Sequence, residues 1–149
     1  FSRYQHFFLF VLFFFFAFLP TYSALQTVQD LDAGFVSDLS TLALVSDEKD
    51  VIAGSVYDGN TLAYFSTRRT VLDSSFLLAP DVQERSEDIA TLYTTKSVSQ
   101  ALDIIDRYSI DYIFLTPQVM ALYGVSDLAV AQIDTTCFAR EGTYYEVRC

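Results

Sequence analysis

Tyr57-Asp58-Gly59-Asn60 sets a phenol, a carboxylate and a carboxamide side by side in a run of turn-forming residues. It is the best place in the chain to look for a site. Two carboxylates can share acid/base work, and Asp58 with Asp73 is the pair to consider; a turn Asp and a loop Asp is the plainer reading. Ser74 and Ser75 carry hydroxyls, but no base stands near them in sequence. The only histidine is His6, so no Ser-His-Asp or Cys-His device can form in the body of the chain. Two cysteines, Cys137 and Cys149, are too few for a zinc site without histidines. No G-x-G-x-x-G or Walker sequence is present, which removes the standard dinucleotide and P-loop readings. The sequence therefore offers a binding loop rather than a self-sufficient active site.

The elements around that loop form a recognisable unit. Residues 51–56 are a short apolar, β-branched run, which predicts a buried strand. After the turn, Leu62, Tyr64 and Phe65 fall near one face of a short helix. Arg68-Arg69 and a second β-branched pair, Thr70-Val71, follow, and Asp73-Ser74-Ser75 closes the stretch. Strand, loop, helix, strand is a βαβ-like arrangement, in which ligands gather at the loop after the first strand.

Upstream, Leu25, Val28, Leu31, Phe35, Leu39 and Leu42 recur at helical steps, with Gly34 as a candidate interruption. Residues 46–50 read as a solvated, charged connector rather than a metal site. Downstream, Pro80-Asp81 predicts a helix start, with Asp81 as N-cap and Glu84 completing a capping box. Ile89, Leu92 and Tyr93 give that helix its apolar side. Ser97 predicts a second N-cap, for a helix presenting Val98, Ala101, Leu102, Ile105 and Tyr108. Residues 111–115 predict a buried strand, stopped by Pro117, which opens a short helical turn to Gly124. Residues 136–140 and 143–148 flank Glu141-Gly142 as a C-terminal hairpin. With that turn Cys149 falls about two residues past the position facing Cys137, so a disulfide needs a bulge or a frayed end; pairing stays open. The fold class is α/β: a small mixed-sheet βαβ-type domain with a C-terminal β-hairpin.

Charge and hydropathy add the setting. A net charge of −10 argues against a nucleic-acid partner, and a lysine-poor acidic surface suits a salty medium. Residues 7–19 are unbroken apolar sequence, flanked by Arg3 and His6 before and by Pro20 after. They read as a transmembrane helix with Tyr4 and Tyr22 as interfacial anchors, as a signal peptide, or as a core helix. The first is preferred, giving a transmembrane segment over 1–24 and an α/β domain over 25–149. Both of the first two readings place that domain outside the cytoplasm, where a disulfide is chemically favoured.

VYDGNTLAYFSTRRTVLDSS resembles the region that contains and follows the Trp-Trp-Asp-Tyr-Gly motif of the oligosaccharyltransferase catalytic-subunit family, which are polytopic GT-C membrane glycosyltransferases. Asp58 matches the motif's Asp, while Ser55 and Val56, or Val56 and Tyr57, stand where its tryptophans would be. Asp111 to Leu115 and Tyr144-Tyr145-Glu146-Val147 resemble a later strand and a Tyr-rich hairpin of archaeal relatives. The resemblance implies the C-terminal extracytoplasmic domain of such a protein, at the cell membrane and following its last membrane helix. Tyr57, Asp58, Gly59 and Asn60 become the acceptor-binding residues. It implies no catalytic residue and no cofactor here, any divalent metal belonging to the membrane part. Implied partners are membrane lipid, the remainder of the polytopic protein, an acceptor polypeptide and a lipid-linked sugar. The alternative is an exported, membrane-anchored binding or scaffold domain with no catalytic role.

Overall fold

Residues 51–55 and 112–116 are buried throughout and set the centre of the described part of the molecule. A computed structural model describes residues 33–75 and 81–149. The proposed membrane segment over 1–24 lies outside the described residues. Among the described residues no helix is long and apolar enough to cross a membrane.

The elements in order are α1 (Ala33–Val45), β1 (Val51–Ala53), α2 (Gly59–Ser66), β2 (Arg69–Thr70), α3 (Val82–Thr94) and α4 (Val98–Tyr108). They are followed by β3 (Tyr112–Phe114), α5 (Pro117–Tyr123), a 3-10 turn (Val130–Gln132), β4 (Phe138–Glu141) and β5 (Tyr144–Val147). The five strands form one sheet in the order β2-β1-β3-β5-β4. β1 pairs in parallel with both β2 and β3, whereas β3–β5 and β5–β4 are antiparallel. The sheet is mixed, with a parallel βαβ half and a hairpin half.

Alternation along β1 and β3 divides the core into two layers. Val51, Ala53, Ile113 and Leu115 belong to one buried cluster with Ile89, Leu92 and Tyr93 of α3 and Ala101, Ile104 and Ile105 of α4. Phe114 faces the other way, edge-on to Phe35 of α1 with ring centroids 5.9 Å apart, and stacks on Tyr144. Leu62 of α2 sits over Gly54, so close that a Cβ there would meet its Cδ1. Helices therefore cover both faces, as a parallel crossover to one side and a second crossover to the other require.

Several predicted details change. α1 begins at Ala33, beside Gly34, and the apolar steps upstream of it lie outside the described residues. On α2 the buried positions are Gly59, Leu62 and Ser66, while Tyr64 is 78% exposed. The predicted apolar face of Leu62, Tyr64 and Phe65 is thus rotated by tertiary packing. Asp81 occupies the N-cap position of α3 but makes no side-chain cap; its Oδ2 pairs with Arg85 at 3.0 Å instead. A competing cation one turn on wins the carboxylate. Ser97 does cap α4, accepting the Gln100 N–H, and Thr116 caps α5, accepting that of Val119.

The hairpin shifts by one residue from the sequence expectation. Glu141 pairs with Tyr144, so the two-residue loop is Gly142-Thr143. Gly142 takes φ +61°, where a residue without Cβ costs nothing. With Phe138 opposite Val147, Arg148 faces Cys137 and Cys149 lies one residue past it, closer than a turn at Glu141-Gly142 allows. The two cysteines are joined by a disulfide with Cα atoms 5.0 Å apart. Across a separation of 12 residues, chain-entropy reasoning gives such a link about 3 kcal/mol.

Candidate functional site at the carboxyl ends of β1 and β3

β1 leads through α2 to β2 on one side, and the chain then returns over the opposite face to β3 on the other side of β1. The crevice between the carboxyl ends of β1 and β3 is therefore a topological switch point, the place where open α/β sheets bind ligands. Asp58 comes from the loop after β1, and Thr116 is the second residue after β3. They meet there: Thr116 Oγ1 donates to Asp58 Oδ2 at 2.6 Å across 58 residues of sequence.

The loop geometry shows why the carboxylate is held so firmly. Ser55 Oγ accepts the Asp58 N–H at 3.2 Å and donates to Asp58 Oδ2 at 2.7 Å. Thr116 Oγ1 accepts the Val119 N–H at 3.0 Å, which leaves its proton for Asp58. Each hydroxyl takes a backbone N–H and passes its own hydrogen to the same carboxylate oxygen. Asp58 stands at the N-cap position of α2 yet makes no side-chain cap. It forgoes the ordinary use of an aspartate there and spans two elements instead. The side chain is 5% exposed overall. No hydrogen bond to Oδ1 is formed among the described residues, and Oδ1 is not among their fully buried unpaired atoms. One oxygen is fixed by neutral donors; the other makes no hydrogen bond among the described residues.

Tyr93 and Tyr123 build the wall beside it. The Tyr93 phenol is wholly buried and donates to the carbonyls of Phe114 (2.7 Å) and Ala53 (3.2 Å), tying α3 to the ends of both strands. Tyr123 of α5 stacks on it with centroids 5.1 Å apart. Burial raises the pKa of both phenols, and the Asp58 carboxylate adds to that rise in each. Neither phenol ionises near neutral pH.

The predicted loop residues separate by role. Tyr57 is 74% exposed at the rim. Gly59 is buried because the chain after β2 lies against it: a Cβ would come within 2.0 Å of the Leu72 carbonyl oxygen. Asn60 donates its amide to Ser74 Oγ at 2.7 Å, joining the first turn of α2 to the loop after β2. Asp73 accepts the Ser75 N–H at 2.7 Å, and no hydrogen bond links it to Asp58. The two acids do not form a shared-proton pair. Sequence reading placed Ser55 only at a motif tryptophan's position, missed Thr116, and gave Tyr93 only as a helix residue. The Thr-Pro step at 116–117 is a helix-start signal, but nothing local indicates where its hydroxyl proton goes.

Among the described residues no group of three or more His, Cys, Asp or Glu side chains could hold a metal ion. The crevice can accept a hydrogen bond from a ligand hydroxyl or N–H and lay an aromatic ring beside it.

A crystal structure of the C-terminal globular domain of oligosaccharyltransferase from Archaeoglobus fulgidus matches this chain with a TM-score of 0.55. The two domains share a fold. The match covers 80% of this chain and 99% of that one, at 14% sequence identity. No protein-family model matches the sequence, and no curated protein matches it. The residues that resemble the oligosaccharyltransferase family in sequence lie on the loop holding Asp58 and on α2, β2, β3 and β5.

The phenols also predict an alkaline response. Tyr145, buried and donating to Asp127, has its pKa pushed up to about 12, and burial with a hydrogen bond to Asp88 takes Tyr108 to about 12. A raised folded pKa means the unfolded chain loses its protons first, from about pH 10. Stability from these groups is complete below pH 10 and falls as pH rises from 10 towards 12. Chemical denaturation midpoints measured across that window should decline; a flat profile would show the phenols to be unperturbed.

Proposed function

We propose that this chain is the C-terminal, non-catalytic part of an oligosaccharyltransferase-like membrane glycosyltransferase. Its α/β domain lies on the extracytoplasmic side and places the acceptor polypeptide, or the lipid-linked donor, for a catalytic centre built elsewhere. The observation that carries this reading is Asp58: an aspartate diverted from its N-cap duty, clamped through Oδ2 by Ser55 and Thr116 at the switch-point crevice. Support comes also from the shared fold with the archaeal domain, and from the Cys137–Cys149 disulfide, which suits an oxidising compartment. In this role Asp58 Oδ1 accepts a hydrogen bond from an acceptor hydroxyl or amide, with Tyr123 alongside. Tyr57, Gly59 and Asn60 shape the loop and its rim. Any divalent metal, and the acids that handle the sugar, belong to the membrane part.

Asp58→Asn is the discriminating variant. Its side-chain oxygen can replace Oδ2 for both hydroxyl donors, while its NH₂ turns the open acceptor into a donor. In peptide glycosylation by the membrane enzyme carrying this domain, KM for the acceptor should rise about tenfold, equivalent to about 1.4 kcal/mol, with kcat and domain stability nearly unchanged. An unchanged KM with a folded domain removes Asp58 from the acceptor path. Sugar transfer by residues 33–149 alone ends the division of labour.

A further inference from the structure

At the opposite end of the parallel strands a second cleft opens, of about 200 Å³, lined by Val51, Arg69, Thr70, Val71, Arg85 and Tyr108. Its composition is unusual for this chain, whose net charge is −10. It contains two arginines and no carboxylate. Arg69 forms no ion pair among the described residues; one of its NH₂ groups donates to the Lys49 carbonyl. Arg85 uses Nε for Asp81 and lies over the Tyr108 ring at 5.6 Å, and its two terminal nitrogens make no hydrogen bond among the described residues.

The surrounding acids are already occupied. Asp111 Oδ2 accepts the Val51 N–H, Asp88 takes Tyr108 and Arg107, and Glu84 takes Arg107. Guanidinium donors therefore remain for an external partner. Arginine presents donors in a planar fork that matches the oxygens of phosphate, and Thr70 adds a hydroxyl to the lining. From this we infer that the cleft is an oxyanion site, taking a phosphate ester through Arg69 and Arg85. The Tyr108 ring holds Arg85 in place from below. This inference stands apart from the crevice at Asp58, since the cleft is at the amino-terminal edge of β1 and β2.

The full chain in non-ionic detergent, titrated calorimetrically with inorganic phosphate and with glycerol 3-phosphate, tests it. Binding should be saturable, weaken as NaCl is raised, and fall at least about tenfold in Arg69→Gln and in Arg85→Gln, or about 1.4 kcal/mol each. Arg69→Lys should recover only part of it. Arg69 is exposed and holds a single backbone carbonyl, so its variant keeps the test valid if Arg85→Gln fails to fold. Mixed micelles with phosphatidic acid or with phosphatidylcholine distinguish the sources. Arg69-dependent binding of phosphatidic acid alone marks a lipid phosphate; Arg69-dependent binding of glycerol 3-phosphate alone marks a soluble ester. Absence of binding to every phosphate, or binding that survives Arg69→Gln and Arg85→Gln unchanged, overturns the assignment.

Discussion

Gly59→Ala should destabilise the domain by about 2–3 kcal/mol, at the upper end of overpacking costs, and lower its melting temperature by roughly 10 °C. The reason is space, not backbone freedom, since Gly59 is absent from the residues with positive φ. An added Cβ would lie 2.0 Å from the Leu72 carbonyl oxygen, 2.6 Å from Asp73 Cα and 2.8 Å from Leu72 C. All three are backbone atoms, and relieving the contact requires moving the chain after β2 away from α2. Alanine's better helix propensity, about 1 kcal/mol, offsets only part of this. Gly54→Ala is the control: its Cβ meets the Leu62 side chain, Cδ1 at 2.2 Å, and a rotamer change can relieve it. Thermal unfolding of the two variants should rank Gly59→Ala as clearly the worse. Equal melting temperatures would mean that the two loops are not sealed together there. Because Asn60 and Ser74 span the same seam, the loop that presents Asp58 should also loosen.

Arg68→Met should cost about 3 kcal/mol and release the end of α1. Arg68 is 8% exposed and has no carboxylate partner among the described residues; its guanidinium serves the carboxyl end of that helix. Nε donates to Ser46 Oγ at 2.9 Å, one NH₂ to the carbonyls of Ser46 (2.7 Å) and Ala43 (3.0 Å), and the other to Thr67 Oγ1 at 2.8 Å. Helix carbonyls without intrahelical partners, at the negative end of the dipole, are a natural seat for a cation. Hydrogen bonds to a charged group contribute about 1.5–3 kcal/mol, and these act together rather than additively. Methionine keeps most of the stem's packing but leaves the carbonyls bare. Arg68→Lys should rescue little, because one ammonium cannot reach Ser46 Oγ and both carbonyls in the guanidinium's planar geometry. Denaturant midpoints and protease sensitivity of the α1–β1 connection would report the loss. A lysine variant as stable as the wild type would show that charge alone suffices.

Element types were largely legible in the sequence. The β-branched run at Val51 and the apolar steps of α4 carry their own periodicity, and caps such as Ser97 announce helix starts. β1 and β3 came out shorter than the apolar runs 51–56 and 111–115 predicted, since pairing ends where a neighbour ends. Tyr64 illustrates a different limit. A short helix with several apolar residues has more than one candidate face, and only the packing partner, here Gly54 under Leu62, selects one. Asp81 looked like a cap and became an ion-pair partner because Arg85 lay one turn away.

By itself the sequence determined that the body of the chain has no histidine, too few cysteines for zinc and no phosphate-binding glycine motif, and that its one promising loop carries Asp58. Those conclusions need only residue identities and order. The tertiary structure alone decided that Asp58 points away from its own helix to Thr116, that Tyr123 stands beside it, and that Arg69 and Arg85 share a cleft. Contacts across dozens of residues depend on strand order and register, and no local pattern encodes which hydroxyl will meet which carboxylate once the sheet has closed.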